Sequence, residues 1–373
     1  MSPLALLLAL VGGSGSPATP VRLAGPGVAA PRYSAIVDAK YAAPDGIVFD
    51  GTPRFKTIGA ALAAAAASAA SPAKPYVIFI LDGRYHEKVL VARPSVHLLG
   101  QSEHGTVLTY DDNADTKGPD GQPLGTRGSW TLKVTAPDFR LERMTVENGF
   151  DYLANYKKGT QDTTKVRNAQ ALAVALGAGS DRAVFRDCLI RGNQDTLFPD
   201  AGRSYFRGCT ILGSVDFIFG AGRAVFQDCD IISLDRGAPQ NNGYITAAST
   251  PTKEPYGFVF LHDRLEKATP SLAPGSVFLG RPWHPSADPN VTSSVVFIDC
   301  QMDDHIAAAG WTRMSSVDAG GTRIWYEPKD ARFFEHGSSG AGAINDPGRR
   351  LLSDEQVKAY TIEKIFDGWK PED

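Results

Sequence analysis

Two aspartates in this chain are spaced to share a reaction. Asp195 lies in the run Gly192-Asn-Gln-Asp-Thr-Leu-Phe198, and Asp216 in Gly213-Ser-Val-Asp-Phe-Ile-Phe-Gly220. Each follows a cysteine, Cys188 or Cys209, by seven residues. Those cysteines occupy equivalent positions in an internal repeat, so the aspartates stack on neighbouring turns. Two like charges held that close cannot both ionise freely, and one carboxyl must bind its proton more tightly. The pair then supplies an acid with a base, or an acid with a nucleophile. The competing reading is an Asn/Asp ladder that merely closes turns. The neighbours favour chemistry. Phe217, Ile218 and Phe219 form an apolar wall after Asp216. Gln194 precedes Asp195, and Gln170 stands about one longer turn upstream. Neutral amide donors beside a carboxylate pair suit a developing oxyanion. Arg281, in the turn Gly280-Arg-Pro-Trp283, can pair with a carboxylate and keep it ionised. Trp283 can stack on a sugar ring.

The repeat predicts how these residues are held. Arg182–Gly192, Arg203–Gly213 and Arg223–Ser233 align without gaps, their starts 21 and then 20 residues apart. Phe185, Phe206 and Phe226 match, as do Cys188, Cys209 and Cys229. Looser copies put Met144 and Cys300 at the cysteine position. Each copy is a short alternating run followed by turn residues, which reads as strand and turn without helix. A leucine-rich repeat needs a leucine frame that is absent, and a propeller blade needs about twice the period. The expectation is an all-β fold, a right-handed parallel β-helix whose turns bury one continuous core. Equivalent residues would lie roughly 4.8 Å apart, which a disulfide tolerates, so Cys209–Cys229 or Cys188–Cys209 could bridge one turn, and Cys209–Cys229 is the expected pair. A ladder of buried thiols is the alternative.

Both ends look capped by helices. The alanine-rich stretch 54–70 follows Thr52 and Pro53, which resemble an N-cap and N1. Ser353 to Gln356 is a capping-box pattern opening a helix to about Phe366. Asp111–Ser129 and Leu234–Thr252 read as loops leaving the stack, and such loops usually build the site.

The chain has 373 residues, 43% of them apolar, with a net charge of −3. That supports a large core and offers no basic stripe for nucleic acid. Leu4–Val11 is long enough for a signal-peptide core but too short to span a bilayer. Residues 1–30 therefore read as a signal-like segment, residues 31–373 as the catalytic domain, and the protein as exported, to the periplasm or beyond, with no membrane span. The seven histidines are scattered without metal-ligand spacing, and no Gly-x-Ser-x-Gly elbow or phosphate-binding loop occurs. No metal or cofactor is expected.

Taken together, these residues resemble the pectin methylesterases, aspartyl carbohydrate esterases. The resemblance rests on Gly83-Arg-Tyr-His-Glu87, Gln170-Ala-Leu-Ala-Val174, Gln194-Asp-Thr-Leu197, Gly213–Gly220 and Leu279-Gly-Arg-Pro-Trp283, in family order. The insert between Asn148 and Gln170 looks like bacterial members. The resemblance implies that the substrate is methyl-esterified homogalacturonan, with water as second substrate, and that the protein acts as a monomer. It implies Asp216 as nucleophile on the C6 methyl ester and Asp195 as general acid, then base. Gln170 and Gln194 would stabilise the oxyanion, and Arg281 would orient Asp216. Trp283, Phe219 and Phe198 would line the sugar cleft, with Met302 nearby. Thr126 and Thr131 match substrate-contacting positions, and Arg236 would meet a free carboxylate. Phe198 departs from the tyrosine of plant members, and Cys188 has no family role. The rival readings are a thioesterase-like relative, a β-helix lyase or polygalacturonase, and a non-catalytic polysaccharide-binding solenoid.

Overall fold

A computed structural model describes residues 33–65, 71 and 73–372. The signal-like segment lies outside the described residues. Three long sheets run side by side, with 12, 8 and 7 strands. Apart from the antiparallel pair Val48–Phe49 and Thr52–Phe55, their strands are parallel. Successive strands of the chain go to different sheets, then return one turn further on, giving the expected parallel β-helix.

The repeat motif now has a physical reading. The first and second sheets meet at a two-residue corner. Its first residue is left-handed at Arg143, Asp187, Gly208, Asp228, His262 and Asp299, with φ between 49° and 60°. Glycine and aspartate tolerate this region better than most residues. The second corner residue points inward and is buried: Met144, Cys188, Cys209, Cys229, Asp263 and Cys300. The matched phenylalanines form an inner stack, Phe185–Phe206–Phe226–Phe260–Phe297, with ring centroids 4.3 to 4.8 Å apart. Burying each ring contributes roughly 1.5–3 kcal/mol.

The Cys209–Cys229 bridge is not formed; all four cysteines are free and buried. Cys209 and Cys229 donate to the carbonyls of Arg207 and Gln227, two residues back in their own strands. The same conformation repeats on each turn, so equivalent thiols sit side by side at hydrogen-bonding reach on neighbouring turns rather than turned into a bond ~2 Å long. Burial also pushes both thiols well above their ordinary pKa, which keeps them protonated. Unfolded in guanidinium without reductant, the chain should titrate as four thiols with Ellman's reagent. Two reactive thiols would restore the bridge.

Both end-cap expectations change in detail. Thr52 and Pro53 lie in a strand, and the first described helix is Ile58–Ala65. The expected stretch 66–70 lies outside the described residues. Glu87 accepts hydrogen bonds from the amides of Ile58 and Gly59, each at 2.9 Å, and so closes the start of this helix. At the other end the Ser353 capping box is present, but two short helices, Asp354–Val357 and Ile362–Ile365, replace the single one. They do not close the helix end. Ile365 and Phe366 pack on the outer face of the first sheet with Val184, Tyr205 and Val225. Arg203 and Arg223 donate to the carbonyls of Phe366 and Ile365, each at 2.7 Å, and fasten the segment there. The stretch 234–252, read as a loop, contains a third-sheet strand at Gly243–Ala248. No described helix is long and apolar enough to cross a membrane.

Candidate active site

The site lies on the third sheet, where the outer faces of strands Leu197–Pro199, Val215–Gly220, Gly243–Ala248 and Val277–Gly280 meet the loops. Asp195 and Asp216 are both left-handed, with φ of 62° and 49°. The Asp195 amide donates to the Val215 carbonyl at 3.0 Å, which ties the two turns together. Beyond Asp216 the pairing with Gly243–Ala248 shifts register between Val215 and Ile218. That irregularity breaks the alternation, so Phe217 and Ile218 both enter the core and only Phe219 of the expected wall faces the site. Gly213 permits the turn: a Cβ there would lie 2.1 Å from that of Phe217.

The carboxyls are unequal. Arg281 grips Asp216 with both edges of its fork, Nε to Oδ1 at 2.8 Å and Nη2 to Oδ2 at 2.5 Å. Its guanidinium lies 3.9 Å from the Tyr244 ring centroid. Burial opposes the Arg281 charge, but neighbouring Asp216 outweighs it and raises the arginine's pKa. Asp195 has the opposite environment. Burial, and then the negative charge of Asp216, hold its pKa well above the carboxylate range, against a smaller opposing effect of Arg281. Asp195 is 8% exposed and Asp216 6%. One carboxyl therefore keeps a proton beside one that is paired with a fixed cation.

Both open onto a cavity of about 570 Å³, also lined by Gln170 and Gln194. The buried Oε1 of Gln170 has no hydrogen-bond partner. Along one wall Phe198 stacks on Phe219 at 4.3 Å, and Phe219 meets Trp283 at 5.6 Å with the rings tilted by 59°. Thr126 comes in from the 3₁₀ turn Thr126–Gly128. An acid, a paired carboxylate and amide groups around one apolar cavity can support acyl transfer.

A family model described as pectinesterase matches residues 46–369. The chain belongs to the pectinesterase family. It is a carboxylic ester hydrolase. Pectinesterase A of Dickeya dadantii (strain 3937) is 40% identical over 328 residues, covering 85% of this chain and 88% of the relative. The solved pectin methylesterase PemA from Erwinia chrysanthemi has a TM-score of 0.84 at 40% identity, over 92% of this chain and 99% of its own. A pectin methylesterase solved in complex with a hexasaccharide has a TM-score of 0.85 at 39% identity, with the same coverage.

Three residues expected at this pectinesterase site lie elsewhere. Thr131 is fully buried, its hydroxyl donating to the Glu147 carbonyl at 2.9 Å. Met302 is buried in the core on the second sheet, with its sulfur accepting from Arg349. Arg236 does not line the cavity: it is held by the carbonyls of Asn241 and Asn242, at 2.8 and 2.5 Å, and lies over the Tyr156 ring. Sequence reasoning missed Arg127 and Met314, which line the cavity, and Tyr244 beneath Arg281. Arg127 adjoins Thr126 in Gly-Thr-Arg-Gly, so its neighbour was the available signal. Met314 carried none, because it begins the outlying hairpin Met314–Val317 and Arg323–Tyr326.

Proposed function

We propose that the chain hydrolyses the C6 methyl esters of galacturonate units in pectin, giving pectate and methanol. The observation that carries this is the asymmetric pair: Asp216 held by the Arg281 fork beside a buried Asp195 whose pKa is raised by burial and by the charge of Asp216. The Asp216 carboxylate attacks the ester carbonyl. The oxyanion forms in the cavity that the Gln170 and Gln194 amides line. A donor there is worth roughly 10²–10³-fold in rate. Asp195 passes its proton to the departing methoxide, and methanol leaves an anhydride between Asp216 and the substrate acyl group. Asp195, now ionised, takes a proton from water as the water attacks that anhydride. The second tetrahedral intermediate collapses to the galacturonic acid and the free Asp216 carboxylate, Asp195 is again protonated, and the released acid loses its own proton to solvent. The wall of Phe198, Phe219 and Trp283 suits the apolar face of a sugar. It also suits the hexasaccharide held by the similar solved enzyme.

Methanol should appear from highly methylated pectin with no fall in viscosity of the uronide chain and no unsaturated product. A viscosity drop would favour a polygalacturonase, and absorbance from a new double bond a lyase. Hydrolysis of acyl thioesters without methanol release from pectin would favour the thioesterase-like alternative.

A further inference from the structure

The hairpin Met314–Val317 and Arg323–Tyr326 has two faces, and the cavity accounts for only one of them. Its cross-strand pairs are Met314 with Tyr326, Ser315 with Trp325, Ser316 with Ile324 and Val317 with Arg323. Side chains alternate along a strand, so Met314, Ser316, Ile324 and Tyr326 share one face, and Ser315, Val317, Arg323 and Trp325 share the other. The first face is docked. Met314 lines the cavity, the Tyr326 ring lies flat on His284 with centroids 3.6 Å apart, and the Ser316 hydroxyl donates to the His284 carbonyl at 2.5 Å.

The second face looks outward. Trp325 is 50% exposed and Val317 47%. The Arg313 guanidinium carbon lies 4.3 Å from the Trp325 ring centroid, and Arg323 donates to the Ser315 hydroxyl at 2.8 Å. An exposed indole therefore shares one face with two guanidiniums. Nearby acids cancel little of that charge. Glu327 stands 3.7 Å from Arg313 in a pair that solvent screens, and the Asp318 carboxyl accepts from the amides of Gly320 and Thr322 in the hairpin tip.

The docked face already secures the hairpin, so the outward face is free for a ligand. It suits a polymer that is both anionic and built of rings. An indole packs on the apolar face of a sugar, and guanidiniums pair with uronate carboxylates. A second copy of the chain suits it badly, because two-fold pairing would set Arg313 and Arg323 against their own counterparts. The face also starts where the cleft ends, since Arg313 directly precedes Met314 of the cavity lining. A pectin chain is far longer than a cavity of about 570 Å³ can hold. Its remaining length stays at high local concentration around the cleft.

We propose that the outward face of this hairpin is a second, non-catalytic binding site for de-esterified homogalacturonan, which holds the enzyme on the polymer while the cleft turns over. This rests on the pectin methylesterase reading above, but its binding test needs no hydrolysis.

The first arm of the test is retardation of the intact protein in native gels containing entrapped pectate. The parent should be retarded. Trp325→Ala and Arg323→Gln should each raise the pectate concentration for half-retardation about ten-fold, the scale of one such contact. Trp325→Phe keeps an aromatic platform and should stay near the parent. The second arm compares kcat/KM for methanol release on partly de-esterified pectin and on a methyl-esterified oligogalacturonate too short to leave the cleft. Trp325→Ala and Arg323→Gln should lose about ten-fold on the polymer and keep parent rates on the oligomer. A parent that is not retarded, or variants retarded as strongly as the parent, overturn the proposal. So does an equal loss on both substrates, which would assign the hairpin to holding Met314 at the cleft. So does a concentration-dependent dimer in sedimentation that Trp325→Ala abolishes, which would assign the face to a second copy. If the parent releases no methanol from either substrate yet is retarded through Trp325, the reaction reading falls and the polyuronate-binding face stands.

Discussion

Replacing Asp216 with alanine should lower kcat for methanol release by at least about 10⁴-fold, the scale on which removing a nucleophile acts. Asp216 is the carboxylate that the Arg281 fork holds, and the other carboxyl among the described lining residues, Asp195, lacks that fork and has its pKa raised. Thermal stability should fall as well. Loss of one member of a fully buried ion pair costs about 3–5 kcal/mol. The cost is smaller here, because the Arg281 side chain is 21% exposed and keeps its contact with Tyr244. Asp216→Asn preserves the shape and a hydrogen-bond acceptor, so it should melt closer to the parent while remaining as inactive. A coupled methanol assay with thermal melts by circular dichroism separates the two effects. A folded Asp216→Asn variant that kept a tenth of parent activity would remove Asp216 as nucleophile.

Asp195→Asn should lower kcat/KM by about 10²–10⁴-fold, the contribution of a positioned general acid. Its signature is in the pH profile. The pKa of Asp195 is raised by burial and by Asp216, so the acid form persists above the ordinary carboxylate range. Parent kcat/KM should hold below that raised value and fall as pH climbs through it. The residual activity of Asp195→Asn should lack this limb. Stability follows the same sign. Between the ordinary carboxylate value and the raised one, the folded chain binds more protons than the unfolded chain, so stability declines as pH rises across that window. Asparagine cannot ionise, so the variant should melt no lower than the parent at neutral pH. An alkaline limb that survived in Asp195→Asn would assign the acid to another group.

The free thiols and the buried Thr131 mark a limit of reading the chain by spacing. The repeat correctly placed Cys209 and Cys229 on adjacent turns, because strand register is a matter of counting. Whether two sulfurs bond depends on where each side chain points, and the corner conformation decides that. Thr131 immediately precedes the third-sheet strand Leu132–Val134, and its inward or outward direction follows from the pairing of that strand. The run after Asp216 shows the same limit. Its three apolar residues look like one wall, but a local register shift sends Phe217 and Ile218 inside and leaves Phe219 outside.

The period of the repeat, by itself, determined the parallel stacking, the phenylalanine ladder and the adjacency of Asp195 and Asp216. These features depend on contacts between equivalent positions one turn apart, and a regular spacing encodes such contacts directly. The tertiary structure alone decided what comes from outside the repeat. It brought Arg281 onto Asp216 across 65 residues of chain and laid Arg127 over Phe198 at the end of the cavity. It carried Met314 to the cavity rim and placed the C-terminal helices on the flank of the first sheet. Loops and tails have no period, and their positions follow from which surfaces they bury and which charges they meet. The two aspartates were therefore legible as a pair in the sequence. Their division into nucleophile and acid was expected from sequence neighbours and the family resemblance, and the folded surroundings supply its geometry: the Arg281 fork on Asp216 and the burial of Asp195.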